Sequence, residues 1–223
     1  MKLITIGCSL TKLFGFSQTL ADLLGTELID LSHPASSNQL QVNRLHELLL
    51  SEERIDSTDI VYWQITGARR KNARLQMNRF EEIDKVQQEQ FTYPWHHYII
   101  NENVNIFDGK NRIDLLCCTP VKTAELDADQ DLQMLLANII LMSHVTPKII
   151  IAFGWEKIML PSQMAIFKKK LTEHNINFIE ETYLEYAINN NLEMFDDGHP
   201  GAGAAGPYLK EVVQPKLVSL GWI

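Results

Sequence analysis

Lys2-Leu3-Ile4-Thr5-Ile6-Gly7-Cys8-Ser9-Leu10-Thr11 is an apolar run broken by a glycine and followed by small polar residues. Leu3 to Ile6 suits a buried strand, and Gly7 ends it by permitting backbone angles that a residue with a Cβ avoids. Ser9 is thereby placed just past the carboxyl end of a strand, where ligands and catalytic side chains collect in open α/β sheets. A single serine in such a turn is ordinarily a cap or turn former. A distant stretch, Asp196-Asp197-Gly198-His199-Pro200, supplies an imidazole and a carboxylate at close spacing and gives Ser9 a possible chemical context.

The pattern repeats outward from this strand. Ser17 to Gly25 carries a serine in N-cap position, apolar residues at helical spacing and a terminating glycine, which predicts a first helix ending near Gly25. Glu27 to Leu31 alternates as a second strand, and Ser32 to Ser37 is rich in turn formers. Val42, Leu45, Leu48 and Leu49 form one stripe of a helix from Asn38 to Leu50, and Asp59 to Thr66 is a third strand closed by Gly67. From Arg69 to about Arg112 the pattern loosens into an insertion, helical through Gln90 and then aromatic at Phe91 to Tyr98. This insertion is a candidate wall or lid, or simply packs on the domain. Arg69, Arg70, Lys71, Arg74 and Arg79 read as a solvated helix face rather than a binding patch.

Ile113 to Cys118 is a short apolar segment, an edge strand or the return from the insertion. Asp127, Asp129 and Asp131 then open a helix with Leu132, Leu135, Leu136, Ile139 and Ile140 inward, and the carboxylates suit its positive end better than a metal cluster. Lys148 to Gly154 is a fully buried strand, implying a parallel sheet. Pro161 to His174 is a helix, Asn177 to Glu180 a last short strand, and Tyr183 to Asn190 a helix or turn. Gly201 to Gly206 is small and flexible, and a terminal helix carries Tyr208, Val212, Val213, Leu217 and Leu220. Strands alternate with helices, which predicts a single α/β domain over 1–223: a three-layer, doubly wound, flavodoxin-like sandwich around a mostly parallel sheet of about five strands.

The balance of charge narrows the partners. Twenty Lys and Arg stand against 28 Asp and Glu, a formal net charge of −8 over 223 residues, which disfavours nucleic acid and anionic membranes. Charged residues at 22% and hydrophobic residues at 45% are ordinary globular values. Three cysteines, two of them the adjacent Cys117 and Cys118, make no disulfide framework. With only a short apolar stretch after Lys2, the expected compartment is the reducing cytoplasm. His96 and His97 read as a surface or pocket pair, so no metal and no organic cofactor is expected.

If the loops at the strand ends meet, the chemistry is that of an activated hydroxyl. Serine is a poor nucleophile at neutral pH and needs a general base, for which neutral His199 is suited, with Asp196 or its neighbour Asp197 holding the other ring nitrogen. Gly7-Cys8-Ser9-Leu10-Thr11 and Asp196-Asp197-Gly198-His199-Pro200 resemble the first and last blocks of the SGNH, or GDSL-like, hydrolases. The resemblance implies Ser9 as nucleophile, His199 as base and Asp196 as carboxylate on a five-stranded α/β/α domain. Cys8 stands where the first block is named for aspartate. Pro34 to Asn38 is similar to the second block, with Ala35 at the glycine position whose N–H helps to form the oxyanion hole. The third block should bring Gly-Xaa-Asn after the third strand, yet Thr66-Gly67-Ala68-Arg69 has no asparagine. Another donor is then needed, and Gln64, Thr66, Asn38 and Arg69 are the candidates.

The expectation is therefore an ester hydrolase acting on a short acyl ester or an O-acetylated carbohydrate through an acyl-enzyme. Its alternatives are a catalytically silent binding protein for a carbohydrate or similar ligand, and a module cradling a phosphate on the Gly7 to Thr11 turn. The last lacks any Gly-Xaa-Gly-Xaa-Xaa-Gly or Walker-type lysine motif.

Overall fold

A computed structural model describes residues 1–12, 15–33, 36, 38–66, 71–76, 95–100, 121–154, 159–195 and 199–223; for Ser9, Ala202 and the segments 71–76, 95–100 and 121–128 the description is of the backbone. In chain order the elements are β1 (Lys2–Ile6), α1 (Ser9–Lys12), α2 (Phe16–Leu24), β2 (Glu27–Asp30), α3 (Asn38–Leu50), β3 (Ile60–Ile65), β4 (Lys71–Gln76) and β5 (Trp95–Ile100). There follow α4 (Val121–Val145), β6 (Ile149–Phe153), α5 (Pro161–Glu173), β7 (Asn177–Phe178) and α6 (Tyr183–Asn189). A continuous helical run closes the chain: a 3₁₀ turn at Ala202–Ala204, α7 (Ala205–Tyr208), a π turn at Leu209–Val213 and α8 (Gln214–Ser219).

Five strands form one sheet in the order β2-β1-β3-β6-β7, and every neighbouring pair is parallel. Alternation along the strands decides which helices cover which face. Ile4, Ile6, Val61, Trp63, Ile65, Ile149, Ile151 and Phe153 meet α3, α4 and α5 through Val42, Leu45, Leu135, Ile139, Phe167 and Leu171. Leu3, Ile60, Tyr62, Ile150 and Ala152 face the other way, onto Phe16 and Leu20 of α2, Tyr183 of α6 and Tyr208, Val213 and Leu217 of the terminal run. The result is a three-layer α/β/α sandwich. Burial on both faces is why β3 and β6 read as unbroken apolar runs.

Strand order reverses direction at β1: the chain steps from β1 out to β2, then back across to β3 on the other side. The crevice of such a sheet opens outside the carboxyl ends of the two strands at that switch. Here those ends are Gly7 to Thr11 and Thr66.

Several local expectations are corrected. Gly7 has no positive φ; its need is for space, as described below. Ser17 does not cap α2, whose N-cap is Gly15 at φ 69°; Ser17 is buried inside the helix and donates through Oγ to the Thr11 carbonyl at 3.0 Å. Gly25 does close that helix, at φ 61°. α4 begins at Val121, so Asp127, Asp129 and Asp131 lie beyond its first turn, where the helix dipole has faded. Asp129 instead accepts from Gln163 Nε2 on α5. Lys71–Gln76 is a strand, paired antiparallel with Trp95–Ile100 in a separate ribbon, where a helix was expected. The alternation of Ala73 and Leu75 with polar Asn72, Arg74 and Gln76 suits strand period, and cross-strand pairing decides for it. The rest of the 69–112 insertion and Ile113 to Cys118 fall outside the described residues. Gly201 to Gly206 is ordered into the start of the terminal helical run, with Ala204 and Ala205 buried.

Candidate active site

At the end of β1 the chain makes one tight helical turn. Thr11 N–H and Lys12 N–H both donate to the Cys8 carbonyl, at 3.1 and 2.9 Å, and Ser9 is the first residue of that turn. The turn rests on β3. Thr11 Oγ1 donates to Gln64 Oε1 at 2.7 Å, and the same oxygen lies 3.8 Å from Cys8 Sγ. Thr11 and Gln64 are fully buried, as is the free thiol of Cys8. Gly7 allows this descent: a Cβ there would lie 2.1 Å from Thr11 Oγ1 and 2.6 Å from Thr11 Cβ. Gly154, at the end of β6, leaves room from the other side, since its Cβ would lie 3.1 Å from Leu10 Cδ1 and 3.4 Å from Gln64 Cδ.

The loop after β2 is tied to the same glycine. The Gly7 carbonyl accepts from His33 N–H at 3.2 Å and from Ser36 Oγ at 2.7 Å, while Ser36 N–H donates to the His33 carbonyl at 3.1 Å. Behind Ser36 stands a buried chain: Gln41 Nε2 donates to Ser36 Oγ at 3.3 Å, and Gln41 Oε1 accepts from Trp63 Nε1 at 2.8 Å. Strand β3 therefore holds the second loop through α3. Ala35 itself is outside the described residues.

Of the four candidate oxyanion donors, three are described. Asn38, the first residue of α3, spends its amide on the main chain of one residue: Oδ1 accepts from Thr66 N–H at 3.0 Å and Nδ2 donates to the Thr66 carbonyl at 3.1 Å. Gln64 lies beneath the Ser9 turn, fully buried, and its Nε2 has no well-formed hydrogen bond among the described residues. Thr66 Oγ1 is likewise buried without one. Arg69 is outside the described residues.

The C-terminal loop is pinched at its base. Met194 and Pro200 form an antiparallel bridge, Phe195 N–H donates to the His199 carbonyl at 2.8 Å, and Gly201 N–H donates to the Glu193 carbonyl at 2.7 Å. His199 is half-buried, with its Nδ1 inside the protein. Asp196 and Asp197 lie outside the described residues, as do the side-chain contacts of Ser9. What anchors the loop is the helical run that follows it. Tyr208 packs on Tyr183 at 5.0 Å, edge-on to Tyr186 at 5.4 Å and on Phe16 at 6.3 Å between ring centroids, and its hydroxyl donates to the Glu181 carbonyl at 3.1 Å. Phe16 opens α2, just after the Ser9 turn, and also packs on Tyr62 of β3 at 5.4 Å. Burial, with Tyr208 and Tyr183 nearby, pushes the Tyr62 hydroxyl well above its ordinary value, so this contact layer stays neutral.

Sequence reasoning reached the loops but missed Thr11, Ser36 and Gln41. A signal was present. Asn38 and Gln41 occupy the same helical stripe as Val42 and Leu45, so polar residues stand on the core-facing side of α3 at its first turn. Buried amides in that position need partners, and here the partners are the strand ends.

Among the described residues no group of three or more His, Cys, Asp or Glu gathers as a metal site, and no helix is long and apolar enough to cross a membrane.

No protein-family model matches the chain, and neither does the sequence of any curated protein. Solved structures do resemble it along its whole length. TesA superposes with a TM-score of 0.51 at 14% identity, covering 99% of each chain. A variant of Axe2, an acetyl xylan esterase from Geobacillus stearothermophilus, gives 0.54 at 13% identity over 97% of this chain and 94% of the other. A lipase/acylhydrolase from Enterococcus faecalis gives 0.51 at 11% over 98% and 95%. At such identities the likeness is one of fold, and the fold is that of the SGNH, or GDSL-like, hydrolases.

Proposed function

We propose that the chain is a serine hydrolase that cleaves small esters, with Ser9 as nucleophile, His199 as general base and Asp196 as the carboxylate that orients it. The observation that carries the reading is the place of Ser9: the first residue of a one-turn helix at the switch point of the sheet, on a turn bonded to β3 and to the loop after β2. A nucleophile needs a fixed attack geometry, and buried bonds on both sides of Gly7 support one.

In the proposed reaction Ser9 Oγ bonds to the acyl carbon as His199 takes its proton. The carbonyl oxygen becomes an oxyanion, the C–O bond to the alcohol breaks, and the alcohol leaves with the proton from His199. Water then attacks the acyl-enzyme, gives a proton to His199 and releases the acid, and the proton returns to Ser9. The oxyanion would be met by the N–H groups of Ser9 and Ala35. For the third donor, the commitment of Asn38 Nδ2 to the Thr66 carbonyl favours Gln64 Nε2, Thr66 Oγ1 and Arg69 over that amide.

Short acyl esters and O-acetylated carbohydrates are the proposed substrates, supported by the fold shared with an acetyl xylan esterase. A reducing, cytoplasmic compartment is proposed with it, consistent with the free thiol of Cys8. The test is release of acetate from acetylated oligosaccharides and of alcohol from short acyl esters. Ser9→Ala should cut the rate roughly 10⁴–10⁶-fold. Hydrolysis that survives Ser9→Ala would overturn the assignment.

A further inference from the structure

We infer that Gln64 is a positioning residue that fixes Ser9 through the hydroxyl of Thr11. The inference rests on the proposed serine-hydrolase reading and adds to it the part that aims the nucleophile.

Three observations meet at this side chain. Gln64 Oε1 accepts from Thr11 Oγ1 at 2.7 Å and lies 3.8 Å from Cys8 Sγ, so one oxygen meets the residue just before Ser9 and a residue of the turn that begins with it. The space it works in is shaped by glycines on both flanking strands. A Cβ at Gly7 would strike Thr11, and one at Gly154 would press on Leu10 Cδ1 and the Gln64 amide. Gln64 is also fully buried, beneath the turn. A buried hydroxyl–amide bond is directional, so it sets the pitch of α1 as apolar packing would not. α1 has only four residues, and its backbone is otherwise held by Thr11 and Lys12 N–H on Cys8 O and by Ser17 Oγ on Thr11 O. Loss of the Thr11–Gln64 bond would free Ser9 to tilt.

The experiment measures second-order labelling of Ser9 by a fluorophosphonate, and kcat and KM on a short acyl ester, in the parent, Thr11→Val, Thr11→Ser, Gln64→Leu and the Thr11→Val/Gln64→Leu double variant. Thermal unfolding confirms that each is folded. Thr11→Val keeps the shape and deletes the donor. It should slow labelling and lower kcat roughly 10–100-fold with KM nearly unchanged, as expected for misplacement on the order of 1 Å. Thr11→Ser restores the hydroxyl and should recover most of the loss, while the double variant should be no worse than the poorer single one. If Gln64→Leu is impaired while Thr11→Val keeps the parental rate, Gln64 acts on the oxyanion itself and the inference is wrong. If both singles keep the parental rate, the bond positions nothing and the inference is again wrong. If the folded parent is not labelled at Ser9, the serine-hydrolase reading fails, and this inference with it.

Discussion

Asn38 holds both main-chain hydrogen-bonding groups of Thr66, accepting from its N–H at 3.0 Å and donating to its carbonyl at 3.1 Å. One side chain at the start of α3 thus completes the hydrogen bonding of the residue that follows β3. Both elements border the crevice beside Ser9. Asn38→Ala would leave two buried backbone groups without partners, and the expected loss is about 2–4 kcal/mol. Asn38→Asp should do no better, because a carboxylate then faces the Thr66 carbonyl. Urea unfolding of the two variants checks this; a loss below about 0.5 kcal/mol would mean that these groups find other partners.

Gly7 and Gly203 should respond oppositely to alanine. A Cβ at Gly7 meets Thr11 Cβ at 2.6 Å, so no rotation of the Thr11 hydroxyl relieves it, and α1 must move. Gly7→Ala is expected to cost about 1–3 kcal/mol and to slow the reaction of Ser9. At Gly203 an added Cβ meets nothing within 4 Å, in a helical turn with no positive φ. Gly203→Ala should be neutral to within about 0.5 kcal/mol. Equal effects at the two positions would contradict the reading of Gly7 as a space requirement.

Much of this was legible before the fold was known. Apolar runs foretold β1, β3 and β6, and the stripe Val42, Leu45 and Leu48 foretold α3 from Asn38 to Leu50 with its observed limits. Those signals come from burial, which a side chain announces by its type. The Thr11–Gln64 and Ser36–Gln41–Trp63 links were not legible, because a polar residue in a buried stripe shows only that it needs a partner and never which one. The role of Gly7 was misjudged for a related reason: a glycine that makes room and a glycine that takes positive φ look alike in sequence. Ser17 likewise matched the pattern of a cap, yet the chain turns at Gly15 and buries that serine against Thr11.

Alkaline stability should reveal the tyrosine layer that anchors the terminal helix. Burial raises the hydroxyls of Tyr62, Tyr183 and Tyr208 well above the usual phenol value; Tyr186 is pushed up to about 12 by burial and by its bond to Glu211. These groups are raised in the folded state, so their contribution is intact below about pH 10 and is lost as pH climbs above it, because the unfolded chain ionises first. The urea midpoint is expected to fall between about pH 9 and pH 11. Tyr183 Oη is buried without a hydrogen bond among the described residues, so Tyr183→Phe should be near-neutral at pH 7 and should lessen the alkaline fall. Phenolate absorbance rising for all six tyrosines with one midpoint near pH 10 would contradict this.

The central claim, an activated serine at the switch point, is tested most directly by fluorophosphonate labelling followed by peptide mapping. Ser9 Oγ bonds to phosphorus, fluoride leaves, and the proton passes to His199, so no natural substrate is needed. The account predicts modification at Ser9 in the parent, none there in Ser9→Ala and a strong loss in His199→Ala. A folded parent unmodified at Ser9, or a His199→Ala variant labelled as fast as the parent, would contradict it.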